Sequence, residues 1–264
     1  MNPVPSAGKG PYGRLVAAIG SIGPCAVAFS GGADSTLLLR AARKALGGNL
    51  LALTVAFPYT LSRDLGTAKR TALDLGVRHR VLPLPLAGGM GRNPENRCYL
   101  CKRRMMEAIA DAARSEGFAT VIEGTNRDDG TTDRPGLKAL EELGIRSPLR
   151  ESAMGKAGVR RSLSRTGGGG GIRQSDSCLL TRIPFHSEVD LLKLKRIEAA
   201  EDLLLVLGFR DVRVRDRGEF AVIEVRREDR QRFFREETGD FVIKGLNALG
   251  LGRVAVDLRG YGAD

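Results

Sequence analysis

The stretch Val27 to Leu39, V-A-F-S-G-G-A-D-S-T-L-L-L, constrains the fold of this chain more than any other. Cys25 to Phe29 is an apolar run with the length and character of a buried strand. Ser30-Gly31-Gly32 breaks that run, and Asp34-Ser35 stands where a helix N-cap would. The pattern predicts strand, tight loop, helix. Two glycines let the backbone approach a ligand closely. The amides at the helix start carry roughly half an elementary positive charge from the aligned peptide dipoles, and they point at whatever anion sits there. The loop is a candidate phosphate cradle, but no glycine-lysine-serine or glycine-lysine-threonine follows it, so it is not of the Walker type.

The same alternation continues downstream. Ser35 to Leu46 is apolar round most of a helix and ends at Gly47-Gly48, and Leu50 to Ala56 reads as a second buried strand. Ser62 to Leu75 places Leu65, Ala68, Ala72, Leu73 and Leu75 at helical spacing. Arg80 to Pro83, Lys102 to Glu116 and Thr120 to Gly124 add strand, helix and strand. Strands alternating with helices predict an α/β, Rossmann-like parallel sheet, with ligands at the carboxyl ends of its strands, where Ser30 and Gly124 should converge. From Gly144 the pattern loosens. Thr166 to Ser177, with glycines from Gly167 to Gly171, reads as a flexible linker. Helical periodicity returns from Ser187 to Leu207. Asp211 to Asp216 and Phe220 to Val225 look like paired strands, Arg226 to Arg235 and Phe241 to Leu249 like helices, and Arg253 to Leu258 like a last strand. The expected domains are 1–165, a linker at 166–186 carrying Cys178, and a smaller α+β domain at 187–264.

Composition narrows the partners. A formal charge of +11 over 264 residues points to anionic ligands such as nucleotides or RNA. At 5% aromatic content and without tryptophan, a stacking platform for single-stranded nucleic acid is thinly supplied. No run approaches the ~18 apolar residues of a membrane span and no signal-peptide core is visible, so a cytoplasmic protein is expected. Four cysteines, two of them as Cys98-Tyr99-Leu100-Cys101, suit a metal or redox site in a reducing compartment.

Three constellations carry chemistry. N-R-C-Y-L-C-K, Asn96 to Lys102, opens a helix among Arg97, Lys102 and Arg103, an environment that favours thiolates. Cys178 stands apart in S-D-S-C-L-L-T-R-I-P. With Cys98 and Cys101 it makes three thiol ligands, enough for a [4Fe-4S] cluster with one iron open, while His79 or His186 could complete a zinc site instead. Cys25 reads as a core residue. E-G-T-N-R-D-D-G-T-T-D-R-P-G, Glu123 to Gly136, follows a strand and would border a nucleotide. Finally, strand alternation in D-V-R-V-R-D-R sets Arg213, Arg215 and Arg217 on one face as a phosphate or carboxylate clamp.

S-G-G-A-D-S resembles the pyrophosphate loop, or PP-loop, of the adenine-nucleotide α-hydrolases, which split ATP between its α and β phosphates. The ordered set A-F-S-G-G-A-D-S-T, N-R-C-Y-L-C-K, D-R-P-G-L-K-A, S-C-L-L-T-R-I-P, A-A-E-D-L-L-L-V-L-G-F and V-R-V-R resembles the LarE family, ATP-dependent sulfur transferases of nickel-pincer nucleotide synthesis. The resemblance implies ATP and Mg2+ at Ser30, Gly31, Gly32, Asp34, Ser35 and Gly124, with Asp34 and Cys178 catalytic. It implies a mononucleotide, pyridinium-3,5-biscarboxylic acid mononucleotide, whose phosphate lies near Thr181, Arg182, Glu201, Arg213 and Arg215. ATP would adenylate a carboxylate of that substrate, and sulfur would then expel AMP. In one branch of the family the sulfur comes from a consumed cysteine at the Cys178 position. In the other, matched here by Cys98, Cys101 and Cys178, it comes from a [4Fe-4S] cluster, supplied by an unidentified sulfide donor. Members can be homo-oligomeric; neither a membrane nor a nucleic-acid partner is expected. Two features depart from the family pattern: the glycine run, and Phe185-His186 where an aromatic-glycine pair is usual. A PP-loop tRNA thiolation enzyme and a non-catalytic nucleotide-binding iron–sulfur sensor are the competing readings.

Overall fold

The computed structural model describes residues 10–129, 135–167 and 178–262. The chain divides into two compact units, Met1–Gly88 with Asn96–Asp176, and Gly89–Glu95 with Ser177–Asp264. The smaller unit therefore takes in a short strap from the middle of the sequence, unlike the continuous boundaries read above. Gly168 to Gly171 and Asp133-Arg134 lie outside the described residues.

The first unit runs α1 (Pro11–Ile22), β1 (Cys25–Ala28), α2 (Ala33–Leu46), β2 (Leu50–Ala56), α3 (Ser62–Asp74), β3 (His79–Pro83), α4 (Arg97–Ser115), β4 (Thr120–Ile122), α5 (Pro135–Glu142), α6 (Pro148–Glu151) and α7 (Lys156–Arg165). Its four strands pair in parallel in the order β3-β2-β1-β4, with Val27 beside both Ala52 and Ile122. All of β1 and the first six residues of β2 are buried, as central strands covered on both faces must be. This is the α/β, Rossmann-like architecture expected. The strand order reverses between β1 and β4, and that reversal opens the crevice at which such sheets bind ligands.

Helix α1 is unassigned in the sequence reading. It starts on Pro11, pre-set for a first helical position, and buries Leu15, Val16 and Ile19 in the same core cluster as Leu37, Leu38 and Ala41 of α2. Each fully buried leucine or isoleucine there contributes about 1.5–3 kcal/mol. In α3 the buried stripe is Ala68 and Ala72, and Leu73 is 79% exposed despite its spacing. The α7 helix buries Val159 and Leu163 within an arginine-rich segment, too few apolar residues to show as a period.

The second unit contains a 3-10 turn at Leu179–Arg182, α8 (Leu191–Val206), β5 (Val212–Asp216), β6 (Ala221–Val225), a 3-10 stretch at Arg227–Phe234, α9 (Glu236–Ala248) and β7 (Val254–Val256). Its sheet is mixed: β5 pairs antiparallel with β6, Val214 facing Ile223, and β6 pairs parallel with β7. Asp190 caps α8 by accepting from the amides of Leu192 and Lys193 at 2.8 and 3.2 Å. Leu194, Ile197, Ala200 and Leu204 of α8 are buried, and the helix packs on β5. The stretch expected as a helix at Arg226–Arg235 is instead 3-10, with Phe233 stacked 4.7 Å from Phe209 and the Arg232 guanidinium 3.9 Å from the Phe209 ring. Among the described residues no helix is long and apolar enough to cross a membrane.

Candidate active site

The loop between β1 and α2 sits at the reversal of strand order. Gly31 has φ +81°, and a Cβ there would lie 2.9 Å from the Ala68 amide nitrogen, so both conformation and space demand glycine. Gly124, just past β4, presses on the other side of the loop, where a Cβ would lie 3.0 Å from the Ser35 nitrogen. Ser30, Gly31, Gly32, Asp34, Ser35 and Gly124 are thus brought together. The hydroxyls shape the loop: Ser30 Oγ and Ser35 Oγ are 3.0 Å apart, and Ser35 Oγ donates to the Gly32 carbonyl at 3.1 Å. Backbone amides at the start of α2 remain the natural donors for an anion.

Asp34, in the first turn of α2, shares its surroundings with residues from the Glu123–Asp129 loop. Burial, and next the Asp129 carboxylate, hold the Asp34 carboxyl above its ordinary range; Glu123 adds to this, while Asn126 and Lys156 oppose it. Lys156 Nζ lies 3.6 Å from Asp129, and the Lys156 amide donates to Asp128 at 2.8 Å, which anchors the start of α7 to this acidic loop. Asn126 Oδ1 in turn accepts from the Asp128 amide at 2.8 Å. Asn126 and Asp129 fall within the Glu123–Gly136 stretch expected to border a nucleotide, though not named individually, and Lys156 is missed in the sequence reading. The available signal was a lysine placed in the first turn of α7, against the helix dipole.

Cys98 and Cys101 lie on the first turns of α4, Cys98 exposed and Cys101 half-buried. Buried Tyr59, stacked on Phe57, donates its hydroxyl to Cys101 Sγ at 3.2 Å. Of the cations expected around them, Lys102 pairs with Glu123 at 3.3 Å and Arg103 with Glu107 at 3.0 Å, so both are engaged with carboxylates. No disulfide joins the four cysteines. Cys25 is a core residue, and burial pushes its thiol pKa to about 11. Cys178, which precedes the Leu179–Arg182 turn, belongs to the second unit.

The remaining candidate residues form a network within the second unit. Arg182 and Glu201 are fully buried and joined at 2.8 Å. Arg182 also donates to Thr181 Oγ1 at 2.8 Å, and Glu201 accepts from the Val214 amide at 3.1 Å, satisfying an outward donor of β5. Arg215 pairs with Glu224 and donates to the Thr181 carbonyl at 3.1 Å. Arg213 lies with its guanidinium 4.6 Å from the Tyr261 ring, and its buried Nε has no partner among the described residues. Arg213 and Arg215 share a face as expected. Arg217 does not join them, because β5 ends at Asp216 and Arg217 enters the turn, donating its amide to the Phe220 carbonyl. His186, where the resemblance implies glycine, adopts φ +62°, a backbone conformation that favours glycine.

A glycine-shaped anion loop at the switch point of a parallel sheet, beside an aspartate held among other acids, defines a PP-loop enzyme that uses ATP. The comparisons agree: a family model described as Asparagine synthase matches residues 17–95. Over 244 residues the chain is 34% identical to an uncharacterized protein of Synechocystis sp., covering 92% of this chain and 91% of that one. An uncharacterized protein of Methanocaldococcus jannaschii is 31% identical over 235 residues, 89% of each chain. The Pyridinium-3,5-bisthiocarboxylic acid mononucleotide synthase of Lactiplantibacillus plantarum is 30% identical over 256 residues, 94% of this chain and 90% of that one. The chain belongs to the LarE family, to which that synthase belongs.

Proposed function

We propose that this protein is an ATP-dependent sulfurtransferase acting on pyridinium-3,5-biscarboxylic acid mononucleotide. The observation that carries this reading is the loop at Ser30–Ser35 with Asp34 held beside Asp129, an arrangement suited to ATP phosphates and Mg2+. A divalent cation would offset both the burial and the Asp129 charge that raise Asp34, so these two acids are the side chains that would hold it. The Gly32 and Asp34 region would bind the departing pyrophosphate through amides. A substrate carboxylate oxygen attacks the α-phosphorus, the bond to the β-phosphate oxygen breaks, and acyl-adenylate and pyrophosphate result. A hydrosulfide-level sulfur then adds to the acyl carbon, AMP leaves with the bonding pair, and a thiocarboxylate remains.

In the second unit Arg213 and Arg215 hold the substrate phosphate with Thr181, while buried Arg182 and Glu201 support the turn from behind. Cys98, Cys101 and Cys178 are the thiols whose donor chemistry fits a [4Fe-4S] cluster, in contrast to the inert Cys25. Among the described residues no group of three metal-ligating side chains is assembled. When bound, such a cluster would supply transferable sulfur at its open iron.

The test is anaerobic purification with determination of iron and acid-labile sulfide, repeated for Cys98→Ala, Cys101→Ala and Cys178→Ala. About four irons per chain, lost in each variant, supports the cluster. No iron, with the chain losing one sulfur after incubation with ATP and substrate, moves the chemistry to a consumed Cys178. Steeply salt-dependent tRNA binding with tRNA-stimulated pyrophosphate release would replace the substrate assignment altogether.

A further inference from the structure

Asn93 lies in the strap Gly89–Glu95, is wholly buried, and has φ +44°, a backbone state that asparagine tolerates better than most residues. Its side-chain amide nitrogen lies within hydrogen-bond distance of three carbonyls of one stretch, Leu180 at 3.2 Å, Ile183 at 3.2 Å and Pro184 at 2.8 Å, so its two N–H groups serve all three with one N–H shared. Backbone bonds sew the strap to the same stretch, with the His186 amide donating to the Asn93 carbonyl at 3.1 Å and the Val189 amide to the Gly91 carbonyl at 2.9 Å. The Oδ1 atom of Asn93 is buried without a partner among the described residues. A fully buried amide is costly to leave half-satisfied, so this geometry is set by more than local turn preference.

The three carbonyls flank Thr181 and Arg182. The Thr181 carbonyl receives Arg215, and Arg182 is locked to Glu201, which also receives the Val214 amide. A shift of the turn at Leu180 or Ile183 would therefore move the Thr181 carbonyl and with it one anchor of Arg215. We propose that Asn93 is a positioning residue for phosphate-monoester recognition: by gripping the Leu180–Pro184 turn it fixes the Thr181 carbonyl, and through that carbonyl the guanidinium of Arg215, next to Arg213 on β5. This rests on the reading of Arg213 and Arg215 as the substrate-phosphate site. Asn93 itself touches no substrate.

The experiment compares wild type with Asn93→Gly, which keeps the positive φ but removes the grip, and Asn93→Asp, which keeps the shape but replaces the donor nitrogen by an acceptor. Three readouts are taken on the full chain: affinity for ribose 5-phosphate by calorimetry, hydrogen exchange over residues 179–189, and pyrophosphate release with either ATP or the dicarboxylate mononucleotide varied. The expected result for both variants is faster exchange in that segment, at least tenfold weaker ribose 5-phosphate binding, and a matching rise in KM for the mononucleotide with KM for ATP unchanged. Faster exchange with unaltered phosphate affinity would overturn the proposal, leaving Asn93 a purely structural clamp; unaltered exchange would overturn it too. If either variant fails to fold, the other is decisive. Should wild type bind ribose 5-phosphate yet release no pyrophosphate with the mononucleotide, the substrate assignment fails, while loss of binding in the variants still upholds the positioning role. Should wild type not bind ribose 5-phosphate, the positioning role falls with its site.

Discussion

Gly31 shows what a single residue contributes to the loop. Its φ of +81° and the 2.9 Å approach of a would-be Cβ to Ala68 leave alanine no low-energy solution. Gly31→Ala should cost about 1–3 kcal/mol of stability and sharply weaken ATP binding, which thermal denaturation with and without nucleotide will reveal. Asp34 provides a pH-dependent counterpart. Its folded-state pKa is raised, so the protonated form suits the apo fold; the destabilisation is absent below the unfolded-state pKa, grows as pH rises through the folded-state value, and is complete above it. Asp34→Asn should therefore raise the melting temperature of the apo protein at neutral pH, and this gain should vanish near pH 4. The same variant should release no pyrophosphate. A loss of stability at neutral pH would show that burial and the neighbouring acids do not disfavour the Asp34 charge.

Among elements, the junction of the Leu179–Arg182 turn, α8 and β5 depends most on one interaction. Arg182 and Glu201 have no exposed side-chain surface, so removing one partner leaves the other charged and buried. Glu201→Leu should cost about 3–5 kcal/mol, measurable by urea denaturation. Adding Arg182→Met should recover much of that stability without restoring substrate binding, because Thr181 Oγ1 loses its arginine donor. Recovery of both would mean that the pair only fills space. The elements were unequally visible in the sequence. Strand β2 matches its expected bounds, since a central parallel strand is apolar throughout and stops abruptly at both ends. Leu73 misled because helical spacing does not say which face is covered, and α1 is hard to read because its apolar residues are bunched, Leu15 to Ile19, behind a proline- and glycine-rich start that signals a loop.

At the scale of the molecule, the chemistry was legible where it depended on short contiguous motifs. The cradle could be read because a strand, two glycines and an aspartate occur in one run, and its place at the switch point follows from the parallel sheet. What sequence could not show was partnership at a distance: Lys156 with Asp129, Tyr59 with Cys101, Asn93 with three carbonyls some 90 residues on. Those pairings arise from tertiary folding and leave no local period. Arg217 illustrates the converse: the strand ends at Asp216, where the sequence places its end, and alternation extended to Arg217 runs one residue past it.

The central claim is that ATP activates a substrate carboxylate as an acyl-adenylate. It is tested most directly by incubating the anaerobic protein with ATP and mononucleotide labelled with oxygen-18 in its carboxylates, then analysing the nucleotide product by mass spectrometry. The expected result is AMP carrying one heavy oxygen, formed with pyrophosphate, because the carboxylate oxygen bonded to phosphorus stays there when sulfur displaces AMP. Unlabelled AMP, or ADP in its place, would contradict the account.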